Sequence, residues 1–246
     1  MHNPVTPLHR DQSFCFRCAP EVACFNACCR DLQQVLAPYD IVCLKQFLGI
    51  SSTEFLHRYT EKSTGPGTGL PVVSLRFSDS ADKACPFVGA AGCRVYPARP
   101  ASCRTYPLAR GVSRDRQTGT LNEHWALIRE SHCLGFECGT VQTVDEWVAD
   151  QEIALHNRMN DRLLELISDK NRLHPEPLTP SESQAVHTAL YDLDAFREAL
   201  FAQATPGDLF PDPADADRAR TDDRVLLEAA LAWVRINVFN LSPKAP

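Results

Sequence analysis

Eleven cysteines dominate the chemistry this sequence could perform, and all of them fall between Cys15 and Cys138 of a 246-residue chain. They run C15-x2-C18-x5-C24-x3-C28-C29, then Cys43, then C85-x7-C93-x9-C103, and finally C133-x4-C138, leaving the last 108 residues without one. A soft divalent metal takes about four thiolates at about 2.3 Å, and an iron–sulfur cluster takes a similar set. Loops that can bend around an ion are the backbones that deliver such ligands. The first and third groups lack helical periodicity, and the second is punctuated by Pro86, Gly89, Gly92, Pro97 and Pro100. Cys43 differs: between Val42 and Leu44 in a predicted helix, it reads as a small hydrophobe filling core. The adjacent Cys28 and Cys29 point in different directions, so they serve either two ions or one ion with a spare thiol.

The same cysteines in a secreted chain would suggest disulfides, but the start MHNPVTPLHRDQSFCF has no apolar h-region or small-residue cleavage site. No apolar run is long enough to span a membrane; the best C-terminal candidate is interrupted by Glu228 and Arg235. The expectation is a cytoplasmic chain with reduced thiols, which then hold metal or do redox chemistry. The net charge is −6, split between residues 1–142 at +3 and residues 143–246 at −9. That balance argues against a nucleic-acid partner, because counterion release needs clustered cations. Arg94, Arg99, Arg104, Arg110, Arg114 and Arg116 do cluster, against Asp115 alone. They read as charge balance for thiolate sites, as an anion site, or as ordinary arginine-rich surface. His132 beside Cys133 could complete a mixed ligand set, or be a loop histidine. Catalytic fingerprints fail: there is no Walker A, G-x-S-x-G or H-E-x-x-H, and a radical-SAM spacing breaks at Asp31. The glycines of 65–69 precede a strand instead of following one, and Cys15-x2-Cys18 resembles a redox dithiol by spacing alone.

The elements that must position these thiols are short. Pro38 and Gly49 bracket a helix over 38–48, and Ser51 with Glu54 opens one over 52–60. A strand follows over 72–77, then extended pieces near 94–96, 106–112 and 124–128, with a turn over 115–120. Thr143 and Glu146 start the longest predicted helix, 144–169, whose apolar stripe includes Trp147, Ile153, Met159 and Leu166. Residues 171–180 read as a linker, Thr179 opens a helical stretch to about 203, and a last helix covers 222–240. The expected fold is α+β: a small loop-rich, metal-organised cysteine domain with short strands, then a long helix and a helical C-terminal extension. The domains expected are 12–170 and 171–246, the latter with a Pro/Asp-rich loop.

The segment FRCAPEVACFNACCRDLQQVLAPYDIVCLKQFLG, followed by ACPFVGAAGCRVYPARPASCRTYPLARG and CLGFEC, resembles the YkgJ family of cysteine-cluster proteins over about residues 14–150. That family's zinc- or iron-chelating domain is marked by a cysteine run ending in CC, a helix opening P-Y-D-I, and C-x-F…G-C-x-x-Y-x-x-R-P-x-x-C-R. The resemblance implies Cys18, Cys24, Cys28, Cys29, Cys85, Cys93, Cys103, Cys133 and Cys138 as metal ligands, with Arg99 and Arg104 on the motif and close to the bound group. The first run is stretched relative to the family's commoner C-x2-C-x2-CC, and Cys15 and Cys43 are additional. Nine matched cysteines could supply two four-thiolate sites with one over, or one site plus structural thiols. The function expected is binding of a Cys-ligated metal, with iron or an iron–sulfur cluster ahead of zinc, in a structural or electron-carrying role. The alternatives are a redox or protein-modifying enzyme using the cluster, or a module docking a protein partner through its acidic C-terminal helices.

Overall fold

Backbone contacts sort the chain into two units, each built from two stretches: Met1–Leu32 with Phe77–Asn157, and Gln33–Arg76 with Arg158–Pro246. The computed structural model describes residues 5–115, 120–137, 139–202, 209–210 and 212–241. Cys138 and Arg116, both singled out above, lie outside them, as does most of the turn over 115–120. Helices and short antiparallel strands in small sheets give the α+β class.

The first unit holds a three-stranded antiparallel sheet in the order Val5–Leu8, Leu121–Ile128, Leu108–Arg114. Ser13–Phe16 pairs separately with Thr140–Thr143, Phe16 lying opposite Thr140. Strand alternation turns Phe14 and Phe16 inward, each 4% exposed. They join Leu108, Trp125, Leu127, Val144, Trp147 and Ile153 in one core. Trp147 is its centre: Phe14 and Phe16 meet its ring edge-on at 6.0 and 5.7 Å, and its indole N–H donates to the Thr105 carbonyl at 3.1 Å. Offset, edge-on aromatic contacts of this kind add to simple area burial.

The single helix predicted over 144–169 is two, Val144–Asp150 and Ile153–Leu173. Its start is as expected. The Thr143 hydroxyl accepts the Glu146 N–H at 3.3 Å, and the Glu146 carboxylate accepts the Thr143 N–H at 2.7 Å. The break falls where the Gln151 carbonyl accepts a guanidinium N–H of Arg104 at 3.0 Å and Glu152 turns left-handed at φ 53°. A side chain 47 positions away in sequence interrupts a helix whose apolar stripe runs straight through the site.

In the second unit a sheet ordered Val35–Leu36, Pro71–Leu75, Thr60–Thr64 accompanies helices Pro38–Leu48 and Ser52–Tyr59. Gly49, at φ 66°, ends the first of these as expected. The Ser51 hydroxyl caps the second at Glu54, while the Glu54 carboxylate pairs onward with Arg58 rather than back to the cap. Helices Pro180–Leu190, Leu193–Ala202, Pro213–Ala219 and Asp223–Asn237 complete the unit. The stretch predicted to be one helix to about 203 is broken at Tyr191 and Asp192, whose carboxylate accepts the Ser52 and Thr53 hydroxyls at 2.8 Å each.

A buried ionic knot ties this unit's early and late segments together. The Lys45 ammonium, 7% exposed, stands 2.9 Å from Asp194 and 3.0 Å from Asp223. Arg197 pairs with both carboxylates, and the Ser52 N–H donates to Asp194 at 2.6 Å. Burial alone would raise the Asp194 pKa, but the Ser52 N–H and Lys45 outweigh it and hold the group at about 2. Stability from Asp194 is therefore complete above the ordinary value of 3.8 and is lost as pH falls through about 2. Lys45→Met leaves two carboxylates to share the Arg197 guanidinium and should cost about 3 kcal/mol in a urea melt at pH 7. In Asp194→Asn the extra acid sensitivity between pH 4 and pH 2 should shrink; an unchanged acid limb would show that the knot contributes nothing there.

Candidate metal centre

Three separated stretches carry the thiols of the first unit. The first begins as the Ser13–Phe16 strand ends, and the third lies against it: the Arg17 N–H donates to the Gly135 carbonyl at 2.9 Å. That approach requires glycine. A Cβ on Gly135 would stand 2.5 Å from the Arg17 carbonyl oxygen and 2.8 Å from the Phe16 ring. One residue earlier, the Leu134 N–H points at the Cys24 sulfur, 3.1 Å away. Backbone N–H groups aimed at sulfur favour the thiolate.

Cys18, Cys24, Cys28 and Cys133 line one cavity of about 20 Å³, whose walls include Phe16, Tyr106 and His132. That volume holds about one water-sized body. Burial raises the Cys18 thiol pKa to about 11, reinforced by the neighbouring Cys28, Cys24 and Cys133. A thiolate at Cys18 would add negative charge beside three further sulfurs, which a cation would relieve.

Cys29 has different neighbours beyond Cys28. Its carbonyl accepts the Cys85 N–H at 2.9 Å, and Arg30 bridges to Ala84. Its sulfur lies within electrostatic reach of Cys85 and Cys103, and Cys85 within reach of Cys93. A tight hairpin brings Cys93 opposite Val88, three residues beyond Cys85, with Gly92 at φ 112° making the turn. Cys103 stands on the short helix Ala101–Thr105. The Cys29 thiol hydrogen-bonds Cys28, which brings the Cys28 pKa down to about 7 against the effect of burial and pushes Cys29 upward.

Arg99 and Arg104 brace the second group from behind. Arg104, 6% exposed, gives its guanidinium N–H groups to the carbonyls of Arg99, Pro97 and Gln151. Arg99 donates to the Tyr96 carbonyl at 2.7 Å and to the Gln151 side chain, and its guanidinium lies 3.9 Å from the centre of the Tyr96 ring. Burial lowers its pKa, and Tyr96, Cys103 and Cys93 work in the opposite direction. The two arginines thus fix the loop that carries Cys93 and Cys103, with Arg99 in their field.

His132 lines the first cavity, with Nε2 3.7 Å from the Glu130 carboxylate. Cys15 sits on the Ser13–Phe16 strand opposite Val141. Cys43 is half-buried on the Pro38–Leu48 helix of the second unit. As they stand, no three His, Cys, Asp or Glu side chains among the described residues close into a ligand shell. Cys18, Cys24, Cys28 and Cys133 share one cavity lining without forming such a shell. Cysteine has one side-chain torsion, and turning it between staggered wells moves the sulfur without moving the backbone. The donor set, all sulfur and mostly half-buried, fits a thiophilic metal. The residues not foreseen from spacing are Tyr106, Gly135 and Gln151; the glycine between Cys133 and Cys138 was the one visible signal.

A discontinuous cysteine array on a small α+β unit, braced by buried arginines, places this part of the chain among cysteine-rich chelating domains. Residues 17–134 match the CxxCxxCC family model, described as a "Putative zinc- or iron-chelating domain". No curated protein and no solved structure matches the chain. Among the described residues no helix is long and apolar enough to cross a membrane.

Gly135→Ala should force the third cysteine stretch off the first, costing about 1–3 kcal/mol in chemical denaturation. Wild-type stability in this variant would mean that the close approach is not a constraint.

Proposed function

We propose that the chain binds two zinc or iron ions, one through Cys18, Cys24, Cys28 and Cys133 and one through Cys29, Cys85, Cys93 and Cys103. What supports this reading is that Cys18, Cys24, Cys28 and Cys133 line one cavity, while Cys29 has Cys85 and Cys103 within electrostatic reach and Cys85 has Cys93. The small cavity of the first four supports one ion in preference to a multi-iron cluster, whose bridging sulfides need several times that space. A bound ion would supply Lewis acidity toward four thiolates and a rigid node for the loops. The residues do the rest: the Leu134 N–H donates to the Cys24 sulfur, and Arg99 offsets negative charge around Cys93 and Cys103.

The role supported is structural. Metal binding at a four-thiolate zinc site is worth about 10–16 kcal/mol, against about 5–15 kcal/mol for a whole domain. A unit whose ligand loops have little regular structure gains most from such a node. No hydrolytic or nucleophilic constellation accompanies the thiols among the described residues, so nothing here favours an enzyme over a chelating domain.

Anaerobic purification with elemental analysis should find about two ions per chain without acid-labile sulfide. Cys28→Ser and Cys29→Ser should each lower that ratio by about one, and full chelation should collapse the far-UV CD signal of the first unit. Metal-free protein with an unchanged melting curve, or stoichiometric sulfide, would refute the reading.

A further inference from the structure

Tyr106 is a polar side chain of the cysteine cavity that the ligand assignment leaves unused. Its hydroxyl oxygen is fully buried and completes no well-formed hydrogen bond. Leaving such a donor unsatisfied costs about 1–3 kcal/mol. The ring cannot turn away freely, because it packs edge-on to Phe16 at 5.7 Å, within the same aromatic floor that carries Trp147. The hydroxyl lines the cavity with Cys18, Cys24, Cys28 and Cys133, and faces the Cys133 sulfur, with the Glu130 carboxylate nearby. Glu130 is 43% exposed and near His132, so solvent and the imidazole already serve it.

A thiol sulfur is a poor acceptor and a thiolate a good one. We infer that Tyr106 is a positioning residue for the first four-cysteine group: its O–H donates to the Cys133 sulfur when that sulfur is a metal-bound thiolate. The inference rests on the metal reading above and adds to it a donor that no cysteine spacing contains. Such outer hydrogen bonds orient a ligand, and removing one typically lowers metal affinity about 10–100-fold.

The test uses the full chain, reduced and stripped of metal, titrated with Co²⁺ and then competed with a chelator. Both wild type and Tyr106→Phe should show thiolate-to-cobalt absorbance. In the variant one site should weaken about 10-fold and its charge-transfer band should move to lower energy, since the lone pair loses its donor. A purely structural role would lower stability without moving the band. A variant with wild-type affinity and band position overturns the inference while leaving the metal reading intact. Wild-type protein that takes up no cobalt overturns both. Should Tyr106→Phe fail to fold, replacement of Tyr106 by a fluorinated tyrosine, a stronger donor of nearly the same size, should move the band to higher energy; an unmoved band is again fatal.

Discussion

The hydrogen bond from the Arg17 N–H to the Gly135 carbonyl is the constraint from which the arrangement of sulfur follows. It lays the stretch containing Cys133 along the one containing Cys18 and Cys24, and it does so over the buried Phe16 ring. Phe16 belongs to the strand, to the core around Trp147 and to the wall of the cysteine cavity. Anything that displaces this crossing moves a ligand, a core side chain and a strand end together. The site is thus an extension of the hydrophobic core, and its geometry inherits the core's rigidity.

The second group is positioned by a different device. Buried arginines occupy backbone carbonyls that the irregular loop over 94–104 would otherwise leave unpaired, satisfying polar groups that secondary structure does not reach. The same guanidinium groups place positive charge where four thiolates would concentrate negative charge, in Arg99 through direct electrostatic reach of Cys93 and Cys103. Positioning and charge balance are one interaction here. Between the groups, Cys28 and Cys29 share a thiol–thiol hydrogen bond, so a change of state at one sulfur is felt at the other.

Local signals in the sequence were read well wherever a residue acts on its near neighbours. Pro38 and Gly49 bounded a helix, Thr143 with Glu146 capped one, and Thr179 with Glu182 capped another. What periodicity could not reveal were interruptions imposed from afar. Arg104 takes the Gln151 carbonyl and splits the expected long helix, and Asp192 serves Ser52 and Thr53 where a helix was expected to continue. Composition along the chain likewise gave no hint that residues 33–76 assemble with the C-terminal helices, an association in which a single buried lysine meets aspartates more than a hundred positions away. The cysteine groups themselves stood out in the sequence by type and spacing. Which of them share a cavity did not, because that depends on the crossing of two distant stretches at Arg17 and Gly135. Tyr106 carried no signal at all: an aromatic residue three positions after a cysteine has no meaning until its hydroxyl is seen to be buried in the wall of the cysteine cavity.

The most direct measurement is X-ray absorption fine structure at the edge of whichever metal the purified chain carries. Two all-cysteine single-ion sites predict a shell of four sulfurs at about 2.3 Å, with no nitrogen or oxygen neighbours and no metal–metal scattering. A mixed shell containing imidazole or carboxylate, or a metal–metal distance characteristic of a cluster, would contradict the account.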